Sequence, residues 1–290
     1  MRTTFIENQK EISFANDGYL VVELLDPVKL KELNKAVREL GFGREHEEKL
    51  RVSITQESAE KKKEIYEKLS PVLRSVTDKL FLDYKLIRIG IFDKLPGGRE
   101  TTIHNHPNLV DESKYRSLTF WVPLTDTSVE MGTLHVIKGS HKITNHIRPY
   151  NDFYGTYKKV STRLLKKYST PILLKAGQAI VFDDRLIHWT PPNNSSRIRT
   201  AIKVDFIPQE AELAIYFRSN DRELLKYTIE ENCFRDASLT QNIPDNLQLL
   251  EKLNQQRIRF DNKQFISMMQ CARPDDKSFK INIFQRFFYS

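Results

Sequence analysis

Apolar positions along this chain change their spacing twice, and the changes divide it into three stretches. Between Asp26 and Gly43 they recur three and four residues apart, at Leu30, Leu33, Val37 and Leu40, which is the spacing of one helical face. Asp26 can cap that helix, Pro27 suits its first turn, and Gly41 and Gly43 close it. A second helix is predicted over Glu57 to Leu80, with Ile65, Leu69, Leu73, Val76 and Leu80 on one side. Ahead of both, Asn16 to Tyr19 reads as a turn feeding a short strand, Leu20 to Glu23.

From Tyr84 the period shortens. Tyr84 to Phe92, Leu118 to Leu124, Thr133 to Ile137, Ile172 to Lys175, Ala179 to Phe182 and Arg199 to Ile207 read as strands. Turn signals such as Pro96-Gly97-Gly98, Gly139-Ser140, Ala176-Gly177 and Pro191-Pro192-Asn193 separate them. A run of short strands with no helices between predicts a mainly β sandwich or jelly roll with flanking α, not a parallel α/β sheet. After Pro208 the pattern turns polar and helical again, at Asp221 to Asn232 and Asn246 to Gln255, and the aromatic tail from Lys280 to Ser290 is expected to dock on the core. The expected division is a β domain with N-terminal helices over 1–210 and a helical C-terminal extension over 211–290.

Composition narrows the class. No apolar run in the 290 residues approaches the roughly 18 that a spanning helix needs. The first residues show no apolar block behind a basic start, so a cytoplasmic protein is expected. Cys233 and Cys271 form neither a disulfide framework nor a zinc-finger spacing, and are expected free and reduced. The net charge of +8 is spread along the chain: Lys61, Lys62 and Lys63 sit between Glu60 and Glu64, the pattern of a solvated face. A nucleic-acid partner is therefore ranked last, because no basic patch interleaved with aromatics is visible.

Seven histidines occur, and three have a distribution that chemistry would explain. His104 and His106 lie two apart, so in an extended segment both rings project to one side. His188, just after the strand Ala179 to Phe182, can complete one face of an octahedron around a metal and leave the other face open. Any one of these histidines alone would be read as an ordinary packing residue; the pair plus a distant third changes that.

The chain resembles the phytanoyl-CoA dioxygenase family of iron and 2-oxoglutarate oxygenases. The resemblance runs from Gly98 through His104, Val110-Asp111-Glu112, Lys114-Tyr115-Arg116-Ser117, Trp121-Val122-Pro123-Leu124, Gly132-Thr133-Leu134 and Gly139-Ser140-His141-Lys142. It resumes at Ala176-Gly177-Gln178-Ala179 and continues through His188, Asn193, Ser195 and Arg199. It implies a cupin-like double-stranded β-helix, Fe(II) and 2-oxoglutarate as cofactors, and hydroxylation of a small molecule as the default reaction.

The resemblance also implies roles. His104, His106 and His188 fall at the metal-ligand positions, with His106 where the family has an aspartate. Arg199, eleven residues after His188, falls where an arginine grips the far carboxylate of 2-oxoglutarate, with Arg197 as a competitor. Thr190 would donate to the same carboxylate and Trp121 would wall the co-substrate. Asp111 or Glu112 could replace the missing acid only from the wrong face. Two other readings stay open: a metal- or ligand-binding member that no longer oxidises, and a three-histidine dioxygenase that needs no 2-oxoglutarate. Loops Leu95 to Thr101 and Thr144 to Lys167 are expected to set the substrate, and the Tyr, Lys and Arg of the second point to a polar or acidic one. His135 is expected to be a packing or surface residue, the resemblance puts His141 in a turn at a strand end, and neither is expected to be a ligand. The oligomeric state is not legible.

Overall fold

A computed structural model describes residues 2–152, 154–237 and 247–276. The helices α1 (Asn8–Asp17), α2 (Pro27–Glu39), α3 (Ser53–Gln56) and α4 (Ala59–Thr77) precede most of the strands. The strands β1 (Tyr19–Glu23), β2 (Leu50–Val52), β3 (Tyr84–Lys94), β4 (Leu118–Pro123), β7 (Gln178–Asp183) and β9 (Arg199–Pro208) build one antiparallel sheet in the order β1-β7-β4-β9-β3-β2. A smaller sheet, in the order β6-β5-β8, is made of β5 (His135–Val136), β6 (Thr170–Pro171) and β8 (His188–Trp189), with α5 (Thr162–Tyr168) ahead of β6. This is the jelly-roll arrangement that the strand pattern predicts.

The large sheet has two unlike faces because its side chains alternate. Ile89 and Ile91 of β3, Phe120 and Val122 of β4, and Val204 and Phe206 of β9 share one buried cluster with Leu33 and Val37 of α2 and Ile65, Leu69 and Leu73 of α4. The helices therefore cover that face. Both follow the predicted pattern: Asp26 Oδ1 accepts from Lys29 N at 2.8 Å, and Ser58 Oγ caps α4. The opposite face carries Arg88, Gly90, Phe92 and Lys94 of β3 against Asp205, Lys203, Ala201 and Arg199 of β9, pair by pair. So many charges on an inward face are costly unless each has a task or a partner.

Three expectations are corrected. The strand expected at Ile172 to Lys175 forms instead at Thr170–Pro171, and Thr133 to Ile137 contracts to His135–Val136. The stretch after Pro208 is not simply helical: β10 (Ala214–Asn220), β11 (Glu223–Thr228) and β12 (Gln248–Asn254) form a third antiparallel sheet, followed only later by a long helix. Leu224 and Leu225 are spaced for a helix as well as a strand, and pairing across the Asp221-Arg222 turn decides for the strand. The helices there are α6 (Glu231–Asp236) and α7 (Asn262–Ala272), the latter opened by a capping box between Asp261 and Gln264. The tail from Lys280 lies outside the described residues.

Gly90 lets α3 close over the inward face: a Cβ there would stand 2.4 Å from Ile54 Cγ1. Replacing it with alanine forces Ile54 aside. Gly90→Ala is expected to lose about 1–3 kcal/mol of stability through overpacking, measured as a lowered urea midpoint at unchanged slope. An unmoved midpoint would mean that Ile54 is not seated there.

Candidate metal centre

The segment at His104 meets β8 in an isolated antiparallel bridge, His104 opposite His188. The two exchange backbone hydrogen bonds, His104 N to His188 O at 3.0 Å and His188 N to His104 O at 2.8 Å. Their rings consequently lie 4.4 Å apart, centroid to centroid. His106, two residues on, turns its ring to the same side, 4.6 Å from that of His188 and 5.6 Å from that of His104. One ring nitrogen from each of the three lies within 4.8 Å of the others.

The donor set fits a divalent metal. Nδ1 of His104 is 2.7 Å from Thr102 O, Nδ1 of His188 is 2.9 Å from Leu186 O, and Nδ1 of His106 is 2.8 Å from Asp184 Oδ1. Carbonyl and carboxylate oxygens only accept, so each Nδ1 carries the proton and each Nε2 the lone pair. Desolvation pushes His104 down to about 4, and His106 and His188 well below the ordinary imidazole range. Neutral rings presenting Nε2 are what imidazole ligation requires.

Arg199 is buried, donates to Gly132 O, and stands with its Cζ 5.2 Å from the Trp121 ring centre. Arg197, the competitor, is exposed and reaches Met131 Sδ instead. Thr190 does not stand alone. Its Oγ1 accepts from Lys94 Nζ at 2.7 Å, and Lys94 also donates to Pro191 O at 2.8 Å. Lys94 is fully buried, and desolvation with the neighbouring Arg199 charge pulls it down to about 6, while desolvation takes Arg199 to about 10. Among the described residues neither group forms an ion pair with a carboxylate. Lys94 was missed in the sequence, although it follows Arg88 and Phe92 on one face of β3.

A cavity of about 350 Å³ opens beside His104 and His106. Val52, Ile54, Phe92 and Leu109 make its apolar wall, and Arg88, Lys203, Asp205 and Asp184 line it as well. Asp205 is held by Arg88 Nε at 2.8 Å and by Lys203. The expected loop 144–167 contributes Tyr150, Asn151 and Tyr154, whereas Leu95 to Thr101 contributes nothing to this wall and reaches only a second hollow, through Glu100. Val52 and Ile54 were not anticipated, since nothing in a three-residue strand and a one-turn helix marks them.

Glu112 is not a spare ligand. It forms a two-pronged ion pair with Arg148, whose Nε donates to His106 O at 2.6 Å. His135 and His141 are both buried packing residues: Nδ1 of His135 is 3.1 Å from Thr133 O, and Nε2 of His141 is 3.1 Å from Ala15 O.

Two outcomes are expected. Glu112→Ala strands the fully buried Arg148 without its counter-charge and should cost about 3–5 kcal/mol, read by chemical denaturation; a loss under about 1 kcal/mol would show that the pair is dispensable. The metal-free protein should also weaken on acidification. His104, His106, His188, His141 and His146 are all held below their unfolded value of about 6.5 by burial. From pH 6.5 downward the unfolded chain therefore takes up protons that the folded chain refuses, so stability falls by up to about 1.4 kcal/mol per histidine per pH unit. Asp184, whose carboxyl burial pushes up to about 6, opposes this in part. A Tm that stays level from pH 7 to pH 5 would contradict the neutral-histidine site.

The chain is similar to a known dioxygenase and to solved structures. Dioxygenase trt7 of Aspergillus terreus is 25% identical over 150 residues, 48% of this chain and 47% of that one, so the match spans about half the length of this curated relative. EvdO2 from Micromonospora carbonacea var. aurantiaca, solved with 2-oxoglutarate, aligns over 70% of this chain and 91% of its own, with 19% identity and a TM-score of 0.51. The epimerase SnoN, solved with Fe3+, alpha ketoglutarate and nogalamycin RO, aligns over 70% and 83%, with 17% identity and a TM-score of 0.51. These structures share the fold. A model of the phytanoyl-CoA dioxygenase family matches residues 14–201, well over half of the sequence, and the chain belongs to that family.

Proposed function

We propose that this chain is an Fe(II)- and 2-oxoglutarate-dependent oxygenase that hydroxylates a small molecule seated in the cavity beside the three histidines. The observation that carries this reading is the buried Arg199 guanidinium beside the buried Lys94 amine, neither with a carboxylate partner among the described residues and both on the sheet face that also lines the histidine cavity. A buried charge without a partner costs several kcal/mol. A buried guanidinium beside an amine that can take up a proton suits an anion.

Fe(II) with 2-oxoglutarate supplies the oxygen activation when bound. His104, His106 and His188 would hold the ion through Nε2. The Arg199 guanidinium offers a planar fork for the distal carboxylate of the co-substrate, and its place against Trp121 fixes the plane of that fork. Lys94 takes up a full proton as the anion arrives, because the new counter-charge offsets the desolvation that otherwise depresses it. Thr190 shares the same end through its hydroxyl. Val52, Ile54, Phe92 and Leu109 keep water from the open side of the centre.

The wall favours a substrate with an apolar body. Arg88 and Lys203 already have Asp205 as partner, and Arg148 of the loop is paired with Glu112. Polar groups of the substrate would lie toward the second hollow, of about 430 Å³, which shares Asn151 and Tyr154 with the first and adds Glu100 and Lys158. That SnoN was solved with nogalamycin RO supports a small-molecule substrate here.

The test is anaerobic titration of the Fe(II)-loaded chain with 2-oxoglutarate, followed by its visible charge-transfer band. The wild type should develop the band, and Arg199→Ala should raise the half-saturating 2-oxoglutarate concentration about 10- to 100-fold, the worth of a charge-assisted hydrogen-bond pair. His106 in the carboxylate position favours a second reading, a member that binds metal and ligand without oxidising. A band that appears only in His106→Asp would support it. No band in either protein would leave a three-histidine dioxygenase independent of 2-oxoglutarate.

A further inference from the structure

The three rings of the centre are backed unequally. Nδ1 of His104 and Nδ1 of His188 face the neutral carbonyls of Thr102 and Leu186, each two residues earlier in the chain. Nδ1 of His106 faces a carboxylate, Asp184 Oδ1, at 2.8 Å. The contact is built from both sides of the chain: His106 N donates to Asp184 O at 2.8 Å, and Thr119 Oγ1 donates to the same Asp184 Oδ1 at 2.7 Å. Asp184 is fully buried, and the adjoining Asp205 is neutralised by Arg88 and Lys203.

This inequality falls on the one ligand that departs from the family pattern. A carboxylate that accepts from Nδ1–H draws that proton toward itself and makes Nε2 the stronger donor, and partners of this kind typically change metal affinity 10- to 100-fold. Resting on the metal-centre reading above, we propose that Asp184 is the positioning residue that fixes His106 as an Nε2 ligand and supplies, through the ring, the negative charge that a directly ligating aspartate would have brought. The centre then keeps the net charge of two imidazoles and a carboxylate. The charge has moved one side chain outward.

The test uses the full metal-free chain and Co(II) alone, titrated by ligand-field absorption. The wild type should bind one Co(II). Asp184→Asn keeps an oxygen acceptor of the same shape but removes the charge, and should weaken apparent Co(II) affinity 10- to 100-fold and shift the absorption bands. The double variant His106→Asp with Asp184→Asn returns a carboxylate to the ligand position and should recover affinity to within a few-fold of wild type. A fully folded Asp184→Asn with wild-type affinity and a superimposable spectrum overturns the assignment of Asp184 alone. A wild type that takes up no Co(II) overturns the metal-centre reading and this one with it. Should Asp184→Asn fail to fold, 15N NMR of histidine-labelled wild type loaded with Zn(II) decides: His106 should be Nε2-ligated with a strongly deshielded Nδ1 proton, and ligation through Nδ1 would overturn the proposal.

Discussion

The reciprocal backbone hydrogen bonds between His104 and His188 are the constraint on which the rest of this site depends. They join two segments 84 residues apart at a single register, and register decides which way every side chain faces. Slipped by one residue, the same sequence would turn His104 and His106 away from His188 together. That the rings need no long, flexible reach is why carbonyls two residues earlier in the chain can set two of the tautomers.

The sheet behind the histidines divides its charges in a telling way. At one end of the β3 and β9 pair, Arg88, Lys203 and Asp205 satisfy one another. At the other end Arg199 and Lys94 donate, among the described residues, only to neutral oxygens. One end is a closed polar network, stable as it stands, while the other is where the proposed co-substrate anion would sit. The apolar reverse face, covered by α2 and α4, carries the stability that lets such a face persist.

Much of this was legible in the sequence, for reasons that differ by element. The 26–40 helix declares itself through a cap, a proline and four apolar positions on one face, and the strands at 84, 118, 179 and 199 through their alternation. The triad was legible because His104 and His106 lie two apart in an extended segment. The pairing of His106 with Asp184 was not, because Asp184 lies in a turn whose backbone path only tertiary structure sets. Lys94 was passed over for a related reason: a lysine near a strand end reads as solvated until its burial is known. The third sheet was hidden by segments such as Glu223 to Thr228, whose composition serves a helix equally well and whose strand state is decided by pairing with β10 and β12.

Arg148 joins parts that are usually regarded as independent. Through Nε it grips the main chain of a histidine of the centre, and through its own backbone it belongs to the loop that supplies Tyr150 and Tyr154 to the substrate wall. Wall and ligand thus turn about a common fulcrum. Reshaping the wall for another molecule is free to act on the aromatic side chains beyond this point, but any change that shifts the loop's root is felt at His106, which confines diversification to the rim.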